Sequence, residues 1–167
     1  MEYFERAAEA EYVKSLYNLG IIYLQGEIGI NDPEKAKRLI KRSAEKGDIQ
    51  GKQQYVEIML NEVNRCSADD LDEINMYCRQ IIAEEEDNPY AYYFLGLMYE
   101  GGYGVPQEPK TAILYYTKAT RFDCPEAFLK LGECFRNGFG VEQNSKDAIR
   151  NYQKAADALP EANIYIG

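Results

Sequence analysis

One block of this sequence occurs three times. Each copy contains Leu-Gly, an aromatic residue three positions after that glycine, a glycine-containing loop and then an alanine. The repeated glycines are Gly20, Gly96 and Gly132, separated by 76 residues (twice 38) and by 36 residues. A fixed period in the thirties is typical of a solenoid, in which helical hairpins stack and bury their apolar faces against one another. The repeat therefore predicts an all-α protein that offers an extended surface for holding other proteins.

Each repeat divides into a helix A, a loop and a helix B. In the first repeat, Asp32 is placed to cap helix B, Pro33 suits its first position and Gly47 ends it. Similar signals predict helix A at residues 12–25, 89–100 and 125–136, and helix B at residues 33–46, 109–121 and 145–157. The small residues at repeated positions predict that helix B approaches helix A closely.

The second repeat is degenerate but keeps the register. Ile74 stands 38 positions after Ala36, whereas Glu57 and Ile58 replace the Leu-Gly pair. Ser67 is predicted to cap helix B of this repeat, with two aspartates in the first turn. We expect the least regular packing of the array here.

We interpret the whole chain as one solenoid domain. Its predicted parts are a half repeat (residues 1–11), repeat one (12–48), the acidic repeat two (49–88), repeat three (89–124), repeat four (125–159) and the start of a further helix A (160–167). Because both ends fall within a hairpin, we expect either a piece of a longer array or end-to-end self-association through the uncapped ends.

Charge and hydropathy exclude several classes of partner. The net charge is −9, and residues 57–87 carry 10 acidic side chains against 2 basic ones. An acidic chain without a basic stripe is unsuited to nucleic acid or anionic lipid. The acidic run is either a solvated helix end or a site for a basic partner segment near repeat two. The longest apolar run is nine residues, well short of the ~20 that a membrane helix needs, so no membrane insertion is expected.

No catalytic or metal site is evident in the sequence. There is no histidine, and the four cysteines lack C-x-x-C spacing, so we expect no metal, no cofactor and four free thiols in a reducing, cytoplasmic compartment. Residues 43–46 fit the S-x-x-K nucleophile motif. Ser43, however, stands at a small-residue position of the repeat, and neither S-D-N nor K-T-G is present. We predict that the chain is not an enzyme.

The combination Y-x-L-G-x-x-Y-x-x-G-x-x-V/I, followed by D/E-P-x-K-A and K-A-A-E-x-G, resembles the Sel-1-like repeat, a relative of the tetratricopeptide repeat. The resemblance is strong in repeats one, three and four and weak in repeat two. It implies a right-handed superhelical solenoid of antiparallel helix-turn-helix repeats that serves as an adaptor or scaffold. In such superhelices helix A lines the concave face.

That arrangement gives candidate residues for partner binding. They occupy repeated positions of helix A around the Leu-Gly glycine and form an aromatic and aliphatic strip that grades to a charged end. The candidates are Tyr17, Ile21, Leu24, Tyr55, Met59, Tyr90, Tyr93, Leu97, Glu100, Leu129, Glu133 and Arg136. Tyrosine offers a large contact area and a hydroxyl for a peptide backbone. The same tyrosines also suit the internal packing pattern of the repeat, so a purely structural role is the alternative.

Two functions are compatible with these features. The first is a non-catalytic adaptor that binds a protein or peptide segment along the helix A face. The second is an accessory repeat region of a larger enzyme or membrane complex, which contacts its partner through the solenoid ends or the convex helix B face.

Overall fold

A computed structural model describes residues 12–26 and 29–165 of the chain. This part contains eight α-helices and no strand. The helices are α1 (Val13–Gln25), α2 (Pro33–Glu45), α3 (Ile49–Asn61), α4 (Ala68–Glu84), α5 (Pro89–Gly101), α6 (Pro109–Thr120), α7 (Pro125–Asn137) and α8 (Ser145–Ala156). Two short 3-10 helices cover Val63–Arg65 and Pro160–Tyr165. The half repeat predicted at residues 1–11 lies outside the described residues.

The chain divides into two compact units, residues 1–70 and 71–167. In unit 1, α1 pairs with α2 as a helical hairpin, and α3 packs next on α2. Its core contains the fully buried Leu16 and Ala36, which come from helix A and helix B of repeat one. These apolar positions recur at helical spacing, so each helix buries one face.

Unit 2 contains most of α4 and the hairpins α5–α6 and α7–α8 of repeats three and four. Helix α6 also packs on α7, and the last 3-10 helix packs on α8. Its core includes Ala112, Tyr116, Ala127 and Leu131. The predicted helices of repeats three and four are confirmed to within one residue at each end.

The repeated glycines are close-contact positions, as the sequence predicts. A Cβ atom on Gly96 would lie 2.4 Å from the ring of Tyr116, and one on Gly132 would lie 2.5 Å from the ring of Tyr152. A Cβ on Gly20 would lie 2.6 Å from Ile40. Atoms cannot approach so closely without movement of the neighbour, so a side chain at these positions would push helix B away from helix A.

Side-chain caps define the starts of several helices, including α2 and α4. The Asp32 carboxylate accepts from the backbone N–H of Lys35 at 2.9 Å, which confirms the predicted cap of α2. Ser67 accepts from the N–H of Asp70 at 3.2 Å, and the Asp70 carboxylate accepts from the N–H of Ser67 at 2.9 Å. This reciprocal pair is a capping box, so the start of α4 is well defined despite the degenerate repeat.

The segment predicted to open a further helix A is a 3-10 helix of six residues, Pro160–Tyr165. The backbone N–H of Ala162 donates to the carbonyl of Leu159 at 2.9 Å, a three-residue separation.

Candidate functional site

The predicted binding residues of unit 1 fall into two groups. Tyr17, Ile21 and Leu24 on α1 are half-buried. Tyr55 and Met59 on α3 are only 2% and 3% exposed. Neither of these two presents surface to a partner in this structure, and the predicted surface is therefore corrected to exclude them. The register of the repeat does not predict how deeply helix A of the degenerate second repeat is buried.

The α1 tyrosine lies in an electronegative setting. Burial raises the pKa of Tyr17, and the nearby carboxylates of Asp48 and Glu57 raise it further. The phenol therefore stays protonated and remains a hydrogen-bond donor at neutral pH.

In unit 2 the predicted residues of α5 and α7 keep part of their surface accessible. Six are half-buried and one is exposed. We call this set the helix A surface of unit 2: Tyr90, Tyr93, Leu97, Glu100, Leu129, Glu133 and Arg136. Tyr93 packs its ring toward the core, with its centroid 5.7 Å from that of Phe94 and 6.1 Å from that of Tyr116. Tyr93 therefore packs against neighbouring rings and keeps part of its side chain accessible.

An ion-pair cluster joins α5 and α7 on this surface. The Lys130 ammonium lies 3.4 Å from a carboxylate oxygen of Glu100 and 3.3 Å from one of Glu133. Tyr116, on α6, also donates its hydroxyl hydrogen to the Glu100 carboxylate. Burial lowers the pKa of Lys130, but the two carboxylates outweigh burial and hold that pKa above its ordinary value. The lysine therefore carries its charge at neutral pH.

Carboxylates outnumber the cation at this cluster. Burial raises the pKa of Tyr93 well above its usual range, and Glu126, Glu100 and Glu133 raise it further. Three carboxylates thus act on one phenol, against the single ammonium of Lys130. The surroundings of Tyr93 are therefore electronegative, and Tyr93 stays protonated as a donor.

The fourth repeat replaces this arrangement by a stack. Arg136 stands at the register of Glu100, and Tyr152 stands at the register of Tyr116. The Tyr165 ring stacks on that of Tyr152 with centroids 5.0 Å apart, and the Arg136 guanidinium lies 5.3 Å from the Tyr165 centroid. Within the described residues, the buried Tyr152 hydroxyl has no hydrogen-bond partner.

Lys130 and the tyrosine hydroxyls of helix B were not predicted from the sequence. A signal for Lys130 was available, because it stands two positions before Gly132, where repeats two and three have the buried apolar residues Val56 and Phe94. Repeat one has the exposed Asn18 at this position, so the signal comes from two of the other three repeats: a lysine in place of a buried apolar residue needs a charged partner.

The S-x-x-K serine has a structural role. Ser43 is fully buried, and its hydroxyl contacts the backbone carbonyl of Val13 at 3.2 Å and the Asp48 carboxylate at 2.9 Å. Gly51 approaches the same residue closely, since a Cβ there would lie 2.9 Å from the Ser43 side chain. The small side chain at residue 43 is explained by this packing.

Other chemistry finds no support in the described part of the chain. Residues 12–26 and 29–165 contain no group of three or more His, Cys, Asp or Glu side chains arranged to hold a metal ion. Within the same ranges, no helix combines the length and apolar character of a membrane span. All four cysteines are free thiols, and burial raises the pKa of Cys78, Cys124 and Cys134 to about 12. Thiolate chemistry at neutral pH is therefore disfavoured at these three.

Comparison with known proteins agrees with this architecture. A family model for the Sel1 repeat matches residues 1–12, 13–48, 89–121 and 125–158, and leaves out the degenerate second repeat. No curated protein sequence matches the chain.

Two crystal structures are similar to this chain at low sequence identity. One is of a protective antigen present in uropathogenic Escherichia coli strains, which displays an SLR fold; it has a TM-score of 0.81 and 23% identity, over 99% of this chain and 35% of that one. The other is of a Sel1 repeat protein from Oxalobacter formigenes, with a TM-score of 0.81 and 21% identity, over 99% of this chain and 64% of that one. This chain therefore spans about a third of the first protein and less than two thirds of the second. At these identities the likeness shows the fold alone.

The predicted fold class is confirmed: the chain has the all-α solenoid repeat fold of these proteins. Sel1 repeats are in general modules for protein interaction rather than catalysis. With matches over more than half of its length, the chain belongs to the Sel1 repeat family.

Proposed function

We propose that this chain is a non-catalytic adaptor whose helix A surface in unit 2 binds a segment of a partner protein. The segment carries apolar side chains for Leu97 and Leu129 and a basic side chain for the carboxylates around Lys130. The observation that carries this proposal is the excess of carboxylates beside half-buried aromatic and aliphatic side chains. Packing alone does not require this combination, in which the partly exposed carboxylates of Glu100 and Glu133 share a single ammonium.

The chemistry of the surface supports a partner segment with a basic side chain. Glu100 and Glu133 share one ammonium at 3.4 and 3.3 Å, so part of their hydrogen-bonding capacity remains for an incoming cation. An arginine would suit the pair best, since its guanidinium donates to carboxylates through two parallel hydrogen bonds. Leu129 and Leu97 provide the apolar contact that such a segment needs for affinity.

Peptide selection tests this proposal directly. Random peptides displayed on phage would be selected on the full chain, and the dissociation constant of the best peptide would be measured for the chain and its variants. We expect Leu129→Ala to weaken binding roughly tenfold, as for a contact near the centre of an interface. Glu133→Gln should weaken binding of peptides with a basic residue and reduce the salt dependence of the dissociation constant.

Leu114→Ala is the matched control. Leu114 is a leucine of helix B in the same unit and is 54% exposed, so the same truncation is made away from the helix A surface. We expect its dissociation constant to stay within about twofold of the unchanged chain. Binding that is weakened by Leu114→Ala and not by Leu129→Ala would contradict the proposal.

A specific observation favours the alternative, an accessory region that docks through helix B. Met76, Leu114 and Ile149 lie on α4, α6 and α8 and are 46%, 54% and 41% exposed. Exposed apolar side chains on successive B helices suit contact with a larger assembly. The comparison of Leu114→Ala with Leu129→Ala decides between the two faces.

A further inference from the structure

Repeat three shows how a helix B tyrosine is satisfied in this fold. The Tyr116 ring is fully buried against Gly96, and its hydroxyl donates to the carboxylate of Glu100 from helix A of the same repeat. The carboxylate in turn is held by Lys130 of the next helix A. Donor, acceptor and counter-ion form one chain of contacts.

Repeat four has the same donor in the same place without the acceptor. The Tyr152 ring is 1% exposed and lies against Gly132 as Tyr116 lies against Gly96. Its hydroxyl oxygen is buried and lacks a hydrogen-bond partner among the residues that the structure describes. Buried polar groups in folded proteins nearly always have a partner, so an orphan hydroxyl calls for an explanation.

The residue that replaces the acceptor is a cation. Arg136 occupies the register of Glu100, is exposed, and acts electrostatically on the Tyr152 hydroxyl. Glu133 acts on the same hydroxyl with the opposite sign of charge, and Tyr165 covers the Tyr152 ring. Repeat four thus has a buried hydrogen-bond donor without an acceptor in the described chain and, at the register of the missing carboxylate, a guanidinium that lies 5.3 Å from the centroid of the covering Tyr165 ring.

We propose that Arg136 and Tyr152 form a binding site for a carboxylate of a partner protein. An aspartate or glutamate side chain of the partner accepts a hydrogen bond from the Tyr152 hydroxyl and pairs with the Arg136 guanidinium, as Glu100 does internally with Tyr116 and Lys130. The site rests on the proposed function in one respect, since Arg136 is the end of the helix A surface that would bind the same segment. The partner segment is therefore basic toward Glu133 and acidic toward Arg136.

Entry to the site requires the Tyr165 ring to turn away. This ring stacks on Tyr152 and lies under Arg136, and it belongs to the short 3-10 helix Pro160–Tyr165. Ile164 next to it is 74% exposed, so the segment has a large apolar side chain available for the same partner. On binding, the Arg136 guanidinium leaves the Tyr165 ring and pairs with the partner's carboxylate, so that an ion pair replaces a cation–π contact.

The test uses the peptides selected on the full chain. We expect their consensus to contain an acidic residue at a fixed position. The selected peptide and its matched Glu→Gln or Asp→Asn version would be compared by dissociation constant, and the amide should bind about tenfold more weakly, as for loss of a charge-assisted contact. On Tyr152→Phe and on Arg136→Gln this difference should shrink below about threefold.

Tyr116→Phe is the matched control, because its hydroxyl already has an internal acceptor. The tenfold preference for the acidic peptide should persist on this variant. A consensus without an acidic residue, or an acid preference that survives Tyr152→Phe, would overturn the site. Peptides that depend on Leu129 but not on an acidic residue would sink this inference alone. Acid dependence without dependence on Leu129 would sink the proposed function alone, and failure to enrich any peptide would count against both.

Discussion

Repeats three and four have the same frame and opposite polar chemistry. In both, a helix B tyrosine packs its ring against the helix A glycine. A Cβ atom added at the glycine would lie 2.4 Å from the ring for Gly96 and 2.5 Å for Gly132. In repeat three the hydroxyl meets a carboxylate, whereas in repeat four the hydroxyl of Tyr152 lacks an acceptor within the described residues.

The difference shows which positions hold the fold and which are free to change. The glycine and the tyrosine ring set the distance between the helices and are the same in both repeats. The residue four positions after the glycine is Glu100 in one repeat and Arg136 in the other. That position decides whether the hydroxyl is used internally, while the packing of the rings stays the same.

The largest expected effect tests the common frame. Gly96→Ala and Gly132→Ala should each lower the free energy of unfolding by about 2 kcal/mol, because the new methyl overlaps a buried ring, and the gain of up to about 1 kcal/mol in helix propensity only partly offsets this. Urea denaturation would measure both. Replacing the ring by a smaller side chain, with Tyr116→Leu in the Gly96→Ala background, should recover part of the lost free energy of unfolding. A Gly132→Ala variant as stable as the unchanged chain would show that the two frames differ.

The next prediction concerns the stability of repeat three at alkaline pH. Burial, together with Glu100, raises the pKa of Tyr116 well above its usual range. A tyrosine pKa that is higher in the folded than in the unfolded state stabilises the fold at pH values below the unfolded-state pKa of about 10. Above that pH, this stabilisation falls by about 1.4 kcal/mol for each pH unit. Tyr116→Phe should therefore flatten the fall in unfolding free energy between about pH 10 and 12. An unchanged slope in this variant would contradict the prediction.

At neutral pH, Tyr116→Phe removes a hydrogen bond to a charged group. The Glu100 carboxylate keeps Lys130 as its partner and is partly exposed, so we expect a loss of about 1 kcal/mol in the free energy of unfolding. Urea denaturation at neutral pH measures this loss. Glu100→Gln with Tyr116→Phe should cost less than the sum of the two single changes, because the residues share one contact.

The smallest expected effect has the opposite sign. Tyr152→Phe removes a buried hydroxyl that has no acceptor in the described chain, so the variant should be as stable as the unchanged chain or more stable by up to about 1 kcal/mol. The same denaturation experiment compares it with Tyr116→Phe. A loss as large as that of Tyr116→Phe would show that the Tyr152 hydroxyl is satisfied in the folded protein and would erase the contrast between the repeats.

Much of the fold could be predicted because its signals are local. Proline at the first helical position, the asparagine caps and the loop glycines Gly102 and Gly138 indicate the helix bounds of repeats three and four, which are predicted to within one residue. The Asp32 cap and the Ser67 capping box follow from the same rules. Each of these signals acts within a few residues along the chain.

The site was predicted less completely because it depends on contacts between repeats. The register placed Tyr93 and Glu100 on one face but carried no information on depth, so Tyr55 and Met59 were assigned to a surface although they are buried. The role of Lys130 requires knowing that it reaches a carboxylate 30 positions earlier. Distances between helices decide such contacts, and periodicity alone does not contain them.

The fixed tyrosine ring has a consequence for how such arrays diversify. Since the ring is held by glycine, its hydroxyl stays at one location whatever residue stands across from it. Under the proposed assignment, one substitution at residue 100 or 136 is enough to close a hydroxyl to outside ligands or to open it. Ligand selectivity in such a protein can therefore change one repeat at a time, without new loops and without loss of the helix packing.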